Sequence, residues 1–533
     1  MKHPVLLFAA CTTAFLPEMS AAAPPKSRAR EAVVEASIAD LQKAMQSGRL
    51  TSRQITQQYF DRIQAIDKAG PKLNSVIEVN PDALADAEAL DQERKARGPR
   101  GPMHGIPVLL KDNIATRDKM QTTAGSIALV GAKPPRDAFV ATRLREAGAV
   151  ILGKTNLSEW ANMRSTRSSS GWSSRGGLTR NPYALDRSAS GSSSGSAVAI
   201  AASLAAVAVG TDTDGSIVSP ASANNLVGIR PTVGLVSRAG IIPISVSQDT
   251  AGPMARTVAD AALLLDAISG TDPADKSTAE AGKRRVEYAK HLDRNALKGA
   301  RLGVVRSQFA GRNDLQAAEI EKALALMKAQ GAILVDVSEV PNGEQLGRDE
   351  LTVMLYELKN NLDAYLAEYA PGAPVKTLAD VIAFNERYKS MAMPWFGQEH
   401  LVAAQAKGGL DSPEYLKARD AGLRAARDEG IDKVLKEHKL DALVAPTGGL
   451  PWMSDLIKGD ASGGGFTSAA AVAGYPHVTV PGGFVHGLPC GLSFVGTAWS
   501  EARLIAIAYA FEQAAKHRRV PTYPKTVNSW NPQ

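Results

Sequence analysis

Cysteine is nearly absent from this chain: its 533 residues contain Cys11, Cys490 and no other. If Cys11 leaves with a cleaved leader, no intramolecular disulfide can form. Cys490, inside the apolar stretch LPCGLSFVG, then reads as a small core residue rather than a nucleophile. No two of the eight histidines fall at ligand spacing, so no metal is expected. The phosphate-loop pattern G-x-x-x-x-G-K-[ST] is missing, and no cofactor is expected either. Long basic runs are missing too. The densest are RKAR at Arg94–Arg97 and KHRR at Lys516–Arg519, and the net charge of +7 is spread over 61 basic and 54 acidic residues. These are solvated helix ends, and nucleic acid is excluded as an expected partner.

What is present is an ordinary globular composition, 44% hydrophobic and 22% charged, enough for a large core. The first residues read as a cleavable export signal, 1–23. Lys2 supplies a positive start, Val5–Phe15 an apolar stretch too short to span a bilayer, and Ser20–Ala23 a small-residue cleavage site. Export to a bacterial periplasm is the simplest expectation. Phe8-Ala9-Ala10-Cys11 resembles a lipoprotein box only faintly, because Phe8 suits its first position poorly. Residues 24–36 read as a polar tether.

From there, strands and helices alternate without an internal repeat or a low-complexity linker. Helices are expected over Ile38–Ser47, Thr51–Asp67, Pro81–Arg97, Ala138–Ala147, Thr257–Ala267, Leu315–Gln330 and Glu501–Lys516, and over most of 345–440. Strands are expected over Leu73–Val79, Gly105–Asn113, Ala149–Leu152, Leu226–Ile229, Gly234–Val236, Arg301–Val305, Ala332–Val337, Leu440–Ala445 and His477–Val480. This alternation predicts the α/β class, as a single large domain with a mixed central β-sheet covered by helices on both faces.

The chain is organised around Ser190–Ser222. Two small-residue loops, Ser190–Ser196 and Gly210–Ser219, flank the run Ala197–Val209, which is apolar but for one serine and reads as one buried helix. Gly191-Ser192-Ser193-Ser194-Gly195 matches the G-x-S-x-G nucleophile elbow in letters only. The elbow needs a strand running into it, and the polar, proline-containing segment Asn181–Ser188 precedes it instead. A Ser-His-Asp triad would also need a downstream histidine; only His477 and His486 flank a strand.

Serine chemistry without histidine remains. A serine hydroxyl needs a base, and a lysine serves if burial keeps it neutral. Lys111 ends the apolar run Ile106–Leu110. Bringing such an amine from about 10.4 to near 7 costs on the order of 4 kcal/mol, within the reach of burial. Taken singly, Lys111 would be a solvated strand end, Ser192 and Ser193 helix caps, and Ser216 a turn serine.

Together, PVLLKDNI around Lys111, the loop SGSSSGS at 190–196 and GTDTDGS at 210–216 resemble the amidase signature family. GKTNLSEWAN, RNPYALDRSASGSSSGSA and PTVGLVSRAGIIPISVSQDTAGPMARTVADAA extend the likeness over most of the chain. The resemblance implies an amidase signature domain at 37–525, followed by a tail at 526–533. It also implies a serine acyl-enzyme mechanism with Ser216 as nucleophile, Ser192 as the serine in a cis peptide, and Lys111 as buried base. Backbone N–H groups of Thr213, Asp214, Gly215 and Ser216 would form the oxyanion hole, with Gly191, Ser193 and Gly195 as the supporting loop. Lys154 and Asp212 are assigned to structure. Asp214, Val218, Ser190 and Ser194 depart from the commonest family pattern in a way that resembles the peptide amidase branch, which removes the carboxamide from C-terminally amidated peptides. The implied substrate is therefore a small-molecule or peptide amide, with water as co-substrate and no obligate protein partner. An esterase or aryl-acylamidase of the same fold, and an amidotransferase A-type subunit, are the alternatives. Trp160–Trp172 and 345–400 are expected to shape the pocket.

Overall fold

The computed structural model describes residues 32–309, 313–340 and 343–527. Among these residues thirteen strands form: β1 (Val76–Val79), β2 (Pro107–Lys111), β3 (Val150–Thr155), β4 (Trp172–Ser173), β5 (Gly177–Leu178), β6 (Val207–Asp212), β7 (Val227–Arg230), β8 (Thr250–Ala255), β9 (Arg301–Val305), β10 (Ile333–Val337), β11 (Ala442–Pro446), β12 (His477–Val485) and β13 (Leu488–Val495). Eleven of them build one sheet in the order β1-β3-β2-β6-β8-β7-β12-β13-β11-β9-β10, while β4 and β5 pair separately.

The sheet is mixed, as the alternation predicts. β3, β2 and β6 run parallel, as do β11, β9 and β10, and antiparallel pairs join the two groups. Every residue of β2, β3 and β6 is buried. That is the behaviour of parallel strands with both faces covered, and it explains why their sequences are continuous apolar runs. The helices Val258–Ile268 and Glu501–Ala515 pack on the centre of the sheet, and the helix Ser194–Ala201 lies against β1, β2, β3, β6 and β8.

That last helix corrects one expectation. Ala197–Val209 is not a single helix. The helix starts earlier, at Ser194, and stops at Ala201; Ser203 takes a left-handed turn at φ 53°, and Val207 begins β6. An apolar run without period cannot distinguish a buried helix from a buried strand. The β-branched Val207 and Val209 favour the strand. Four strands beyond β6 were also not expected, the two-residue β4 and β5 and the longer β8 and β13. β8 contains Gly252 and Pro253, and β13 contains Pro489 and Gly491, residues that read as turn formers out of context. Gly234–Val236 makes only a one-residue bridge, Val233 with Val236.

The stretch read as a tether is not free at its end. Val33 is fully buried, and Glu35 forms an ion pair with Arg518 at 2.8 Å and accepts from the Ser203 hydroxyl. The export signal and most of the C-terminal tail lie outside the described residues. Among those described, no helix is long and apolar enough to cross a membrane. Cys490 is buried in β13, where burial pushes its thiol up to about 12 and away from reactivity.

Candidate active site

Lys111 is the last residue of β2, fully buried beside β6. Its Nζ lies 2.8 Å from Ser192 Oγ, 2.8 Å from Thr211 Oγ1 and 3.1 Å from the Thr211 carbonyl. Asn113 donates to the same Thr211 hydroxyl at 2.9 Å. Burial drives the amine down to about 7, against the partial opposition of the Asp212 and Asp249 carboxylates. A group poised there exchanges its proton near neutrality, as a general base must.

Ser192 follows a cis peptide bond from Gly191 and is completely enclosed. Its carbonyl accepts from the Ser158 N–H at 3.1 Å. The next residue ties the two serine-rich loops together: Ser193 N–H donates to the Ser216 carbonyl at 3.2 Å. Ser216 retains 9% exposure where Lys111 and Ser192 retain none, so of the three it is the one that reaches open space. Three other serines of the first loop are occupied. Ser193 Oγ donates to Thr211 O, Ser194 Oγ to Ser190 O, and Ser196 Oγ meets Thr155 Oγ1 at 2.7 Å.

The Asp212 carboxylate holds the turn that carries Ser216. Gly215 N–H donates to Asp212 Oδ1 at 2.9 Å and Ile217 N–H to Oδ2 at 2.6 Å. Gly215 itself sits at φ +78°, and a side chain there would run into Ser219 and Thr467. Arg230, fully buried at the end of β7, clamps Asp212 Oδ1 at 2.7 Å and also donates to the carbonyls of Asp212, Thr213 and Gln248. Of the four N–H groups expected to form the oxyanion hole, that of Gly215 is engaged by Asp212. The N–H groups of Thr213, Asp214 and Ser216 make no hydrogen bond among the described residues and are available.

A cavity of about 310 Å³ opens beside this turn, lined by Gly191, Ser190, Asp214, Asn162, Asp460 and Trp452 among others. Asn162 and Ser170 come from the segment expected to shape the pocket. No lining residue comes from 345–400, and the far wall is instead residues 448–468. Asp214 accepts from Ser468 Oγ at 2.7 Å, and burial raises its carboxyl above the usual range. Among the described residues no cluster of His, Cys, Asp and Glu could hold a metal ion. His477 pairs across the sheet with Arg230 but its ring is enclosed in β12 and bonded to Ser493 Oγ, and burial depresses it to about 3. Lys154, also buried and lowered to about 8 by burial, donates to Thr122 Oγ1 and the Ile114 carbonyl.

The amidase family model matches residues 54–505. The chain belongs to the amidase family. As a member it is an amide-hydrolysing enzyme. It is 53% identical to the native peptide amidase of Stenotrophomonas maltophilia, with a TM-score of 0.87, the match covering 92% of this chain and 99% of that one. It is 42% identical over 502 residues to a "probable amidase" of Arabidopsis thaliana, covering 92% of each. To an amidase family protein from Bacillus anthracis it is 39% identical, with a TM-score of 0.84, covering 92% of this chain and 93% of that one.

Four residues that complete the site in this family member escaped sequence reasoning: Asn113, Thr211, Arg230 and Asp249. Arg230 carried the same signature as Lys111, a charge ending an apolar strand. Thr211 lies inside the GTDTDGS motif but was not singled out. Nothing local marks Asp249.

Proposed function

We propose that this amidase hydrolyses primary carboxamides, C-terminal peptide amides being the substrate class, through an acyl-enzyme on Ser216. The observation that carries the reading is the enclosed Lys111 Nζ–Ser192 Oγ contact, with Ser193 pinned to Ser216. A neutral amine has two N–H groups and one lone pair. The Thr211 carbonyl and hydroxyl take the two N–H groups, and the lone pair faces the Ser192 hydroxyl.

In this scheme Ser216 Oγ attacks the amide carbon and forms a C–O bond. Its proton passes to Ser192 Oγ, whose own proton moves to Lys111. The tetrahedral oxyanion settles on the N–H groups of Thr213, Asp214 and Ser216, each worth about 3 kcal/mol in sites of this kind. Collapse breaks the C–N bond, and the proton returns from Lys111 through Ser192 to the departing ammonia. Water then attacks the ester by the same relay and releases the acid. The polar cavity suits a peptide main chain, and the likeness to a peptide amidase supports that substrate over simple aliphatic amides. Location outside the cytoplasm is part of the same reading; it rests on Lys2, Val5–Phe15 and Ser20–Ala23 and is tested by N-terminal sequencing of the mature protein.

The test is a hydrolysis panel of peptide amides, aliphatic amides, anilides and esters, run with the wild type and Ser216→Ala. Peptide amides should turn over fastest, and a serine-directed phosphonate should label Ser216. Turnover by purified Ser216→Ala would refute the mechanism. Faster cleavage of anilides or esters would replace the substrate.

A further inference from the structure

The oxyanion turn has a second support, behind β6. Thr213 Oγ1 donates to Asp249 Oδ1 at 2.6 Å. Asp249 Oδ2 accepts the N–H groups of Ile244 and Ser245 at 2.9 and 3.0 Å, and its own N–H closes the turn onto Ser245 O at 2.7 Å. The carboxylate is thus held by three donors, one of them the side chain of a proposed oxyanion residue. Asn113, Thr211, Thr213 and Asp249 line one small cavity of about 10 Å³, so Asp249 faces the group of residues that grips Lys111.

We propose that Asp249 is a positioning residue for hydrolysis: through the Thr213 hydroxyl it fixes one oxyanion donor, and its carboxylate stands across β6 from Lys111. The inference rests on the roles proposed for Lys111 and Ser216. The charges around the pair are few. Lys111 faces Asp212 and Asp249, and Asp212 is already bound to Arg230. Asp249 faces Lys111 and Arg238, whose guanidinium is bidentate on Asp275. Glu357 lies behind, accepting from the hydroxyls of Ser245 and Ser247 on the same turn. Burial raises the Asp249 carboxyl to about 6, so it is ionised where Lys111 titrates.

Asp249→Asn keeps the shape and removes the charge. Two effects are expected together in a peptide-amide assay over a range of pH. The rate constant kcat falls roughly tenfold or more with KM little changed, because Thr213 is less firmly held. The acid limb of kcat/KM moves to lower pH by roughly half a unit or more, because an opposite charge near Lys111 has gone. A limb coincident with the wild type would overturn the proposal, since a purely structural residue lowers the rate without moving it. Thr213→Val, which leaves the carboxylate in place, should reproduce the fall in kcat with the limb unmoved. Unchanged kcat in that variant would also overturn it, and this arm decides the matter if Asp249→Asn does not fold. Phosphonate labelling of Ser216 in the wild type separates the two levels. With labelling intact, a failed shift removes only the role of Asp249. Without labelling, the triad falls and this inference with it.

Discussion

Lys111 and Thr211 meet twice, through the threonine carbonyl at 3.1 Å and its hydroxyl at 2.8 Å, so the amine is aimed at Ser192 by a single neighbouring residue. A flexible four-carbon side chain becomes a fixed amine because β2 and β6 are adjacent parallel strands. The pH behaviour follows from the same enclosure. With Lys111 at about 7, kcat/KM should fall about tenfold per pH unit below that value, as the amine gains a proton and loses its lone pair. A pH–rate profile on a peptide amide checks this, and an acidic optimum would rule out Lys111 as base.

Lys111→Met should cut kcat by about 10²–10⁴-fold, the range of a lost general base, while the protein stays folded. Stability provides a second readout. Between about 7 and the ordinary value of 10.5, the unfolded chain carries a proton on this lysine that the folded chain has released. The lysine therefore makes stability rise with pH across that window. Thermal unfolding at several pH values should show a shallower rise in the methionine variant.

Ser192→Ala and Ser193→Ala should separate relay from scaffold. The first removes the proposed relay hydroxyl bonded to Lys111 and should lose at least about 10²-fold in kcat. The second removes a hydroxyl bonded to Thr211 in the fold, costing about 1 kcal/mol in urea unfolding with activity within roughly tenfold of the wild type. Equal inactivation of both would put the relay in doubt.

Asp212→Asn should damage stability and catalysis together. It leaves the Arg230 guanidinium buried without its counter-charge, a loss of roughly 3–5 kcal/mol. It also weakens the hold on the N–H groups of Gly215 and Ile217 on either side of Ser216. Denaturant unfolding and kcat measured on one preparation would show both effects; an unperturbed kcat would mean the turn is held by other contacts.

Gly195→Ala is expected to be among the most damaging single-methyl additions in the chain. A methyl there would collide with the Ser75 carbonyl and with the backbone N and O of Asn156, none of which can swing aside. The cost should be about 3 kcal/mol or more, seen as a lower melting temperature and lower soluble yield.

Much of the sheet was legible because strands such as β2 and β3 are buried on both faces and so are written as apolar runs, whereas the run into β6 was read as helix. β8 and β13 were not legible, because Pro253, Gly252, Pro489 and Gly491 resemble turn residues until their neighbours are known. The candidate site was legible where its members lie in short motifs: Lys111 after a run of apolar residues, Ser192 and Ser216 in glycine-rich loops twenty-four residues apart. The turn proposed to hold the oxyanion was only partly legible. Which N–H groups are free depends on where the Asp212 carboxylate points, and composition does not say.

By itself the sequence determined the amidase family, the α/β class, and the order along the chain of the residues proposed to react. The class follows from burial period and turn chemistry, and the family from the resemblance of its short motifs. Only the tertiary structure decided that the 197–209 run splits into helix and strand, that Gly215 is already engaged, and that residues 448–468 wall the cavity. It alone brought Arg230 and Asp249 to the back of the turn. The physical reason is common to all of these. A hydrogen bond or a buried charge pair is settled by distance in space, and residues from β2, β6, β7 and β8 become neighbours only when the sheet has formed.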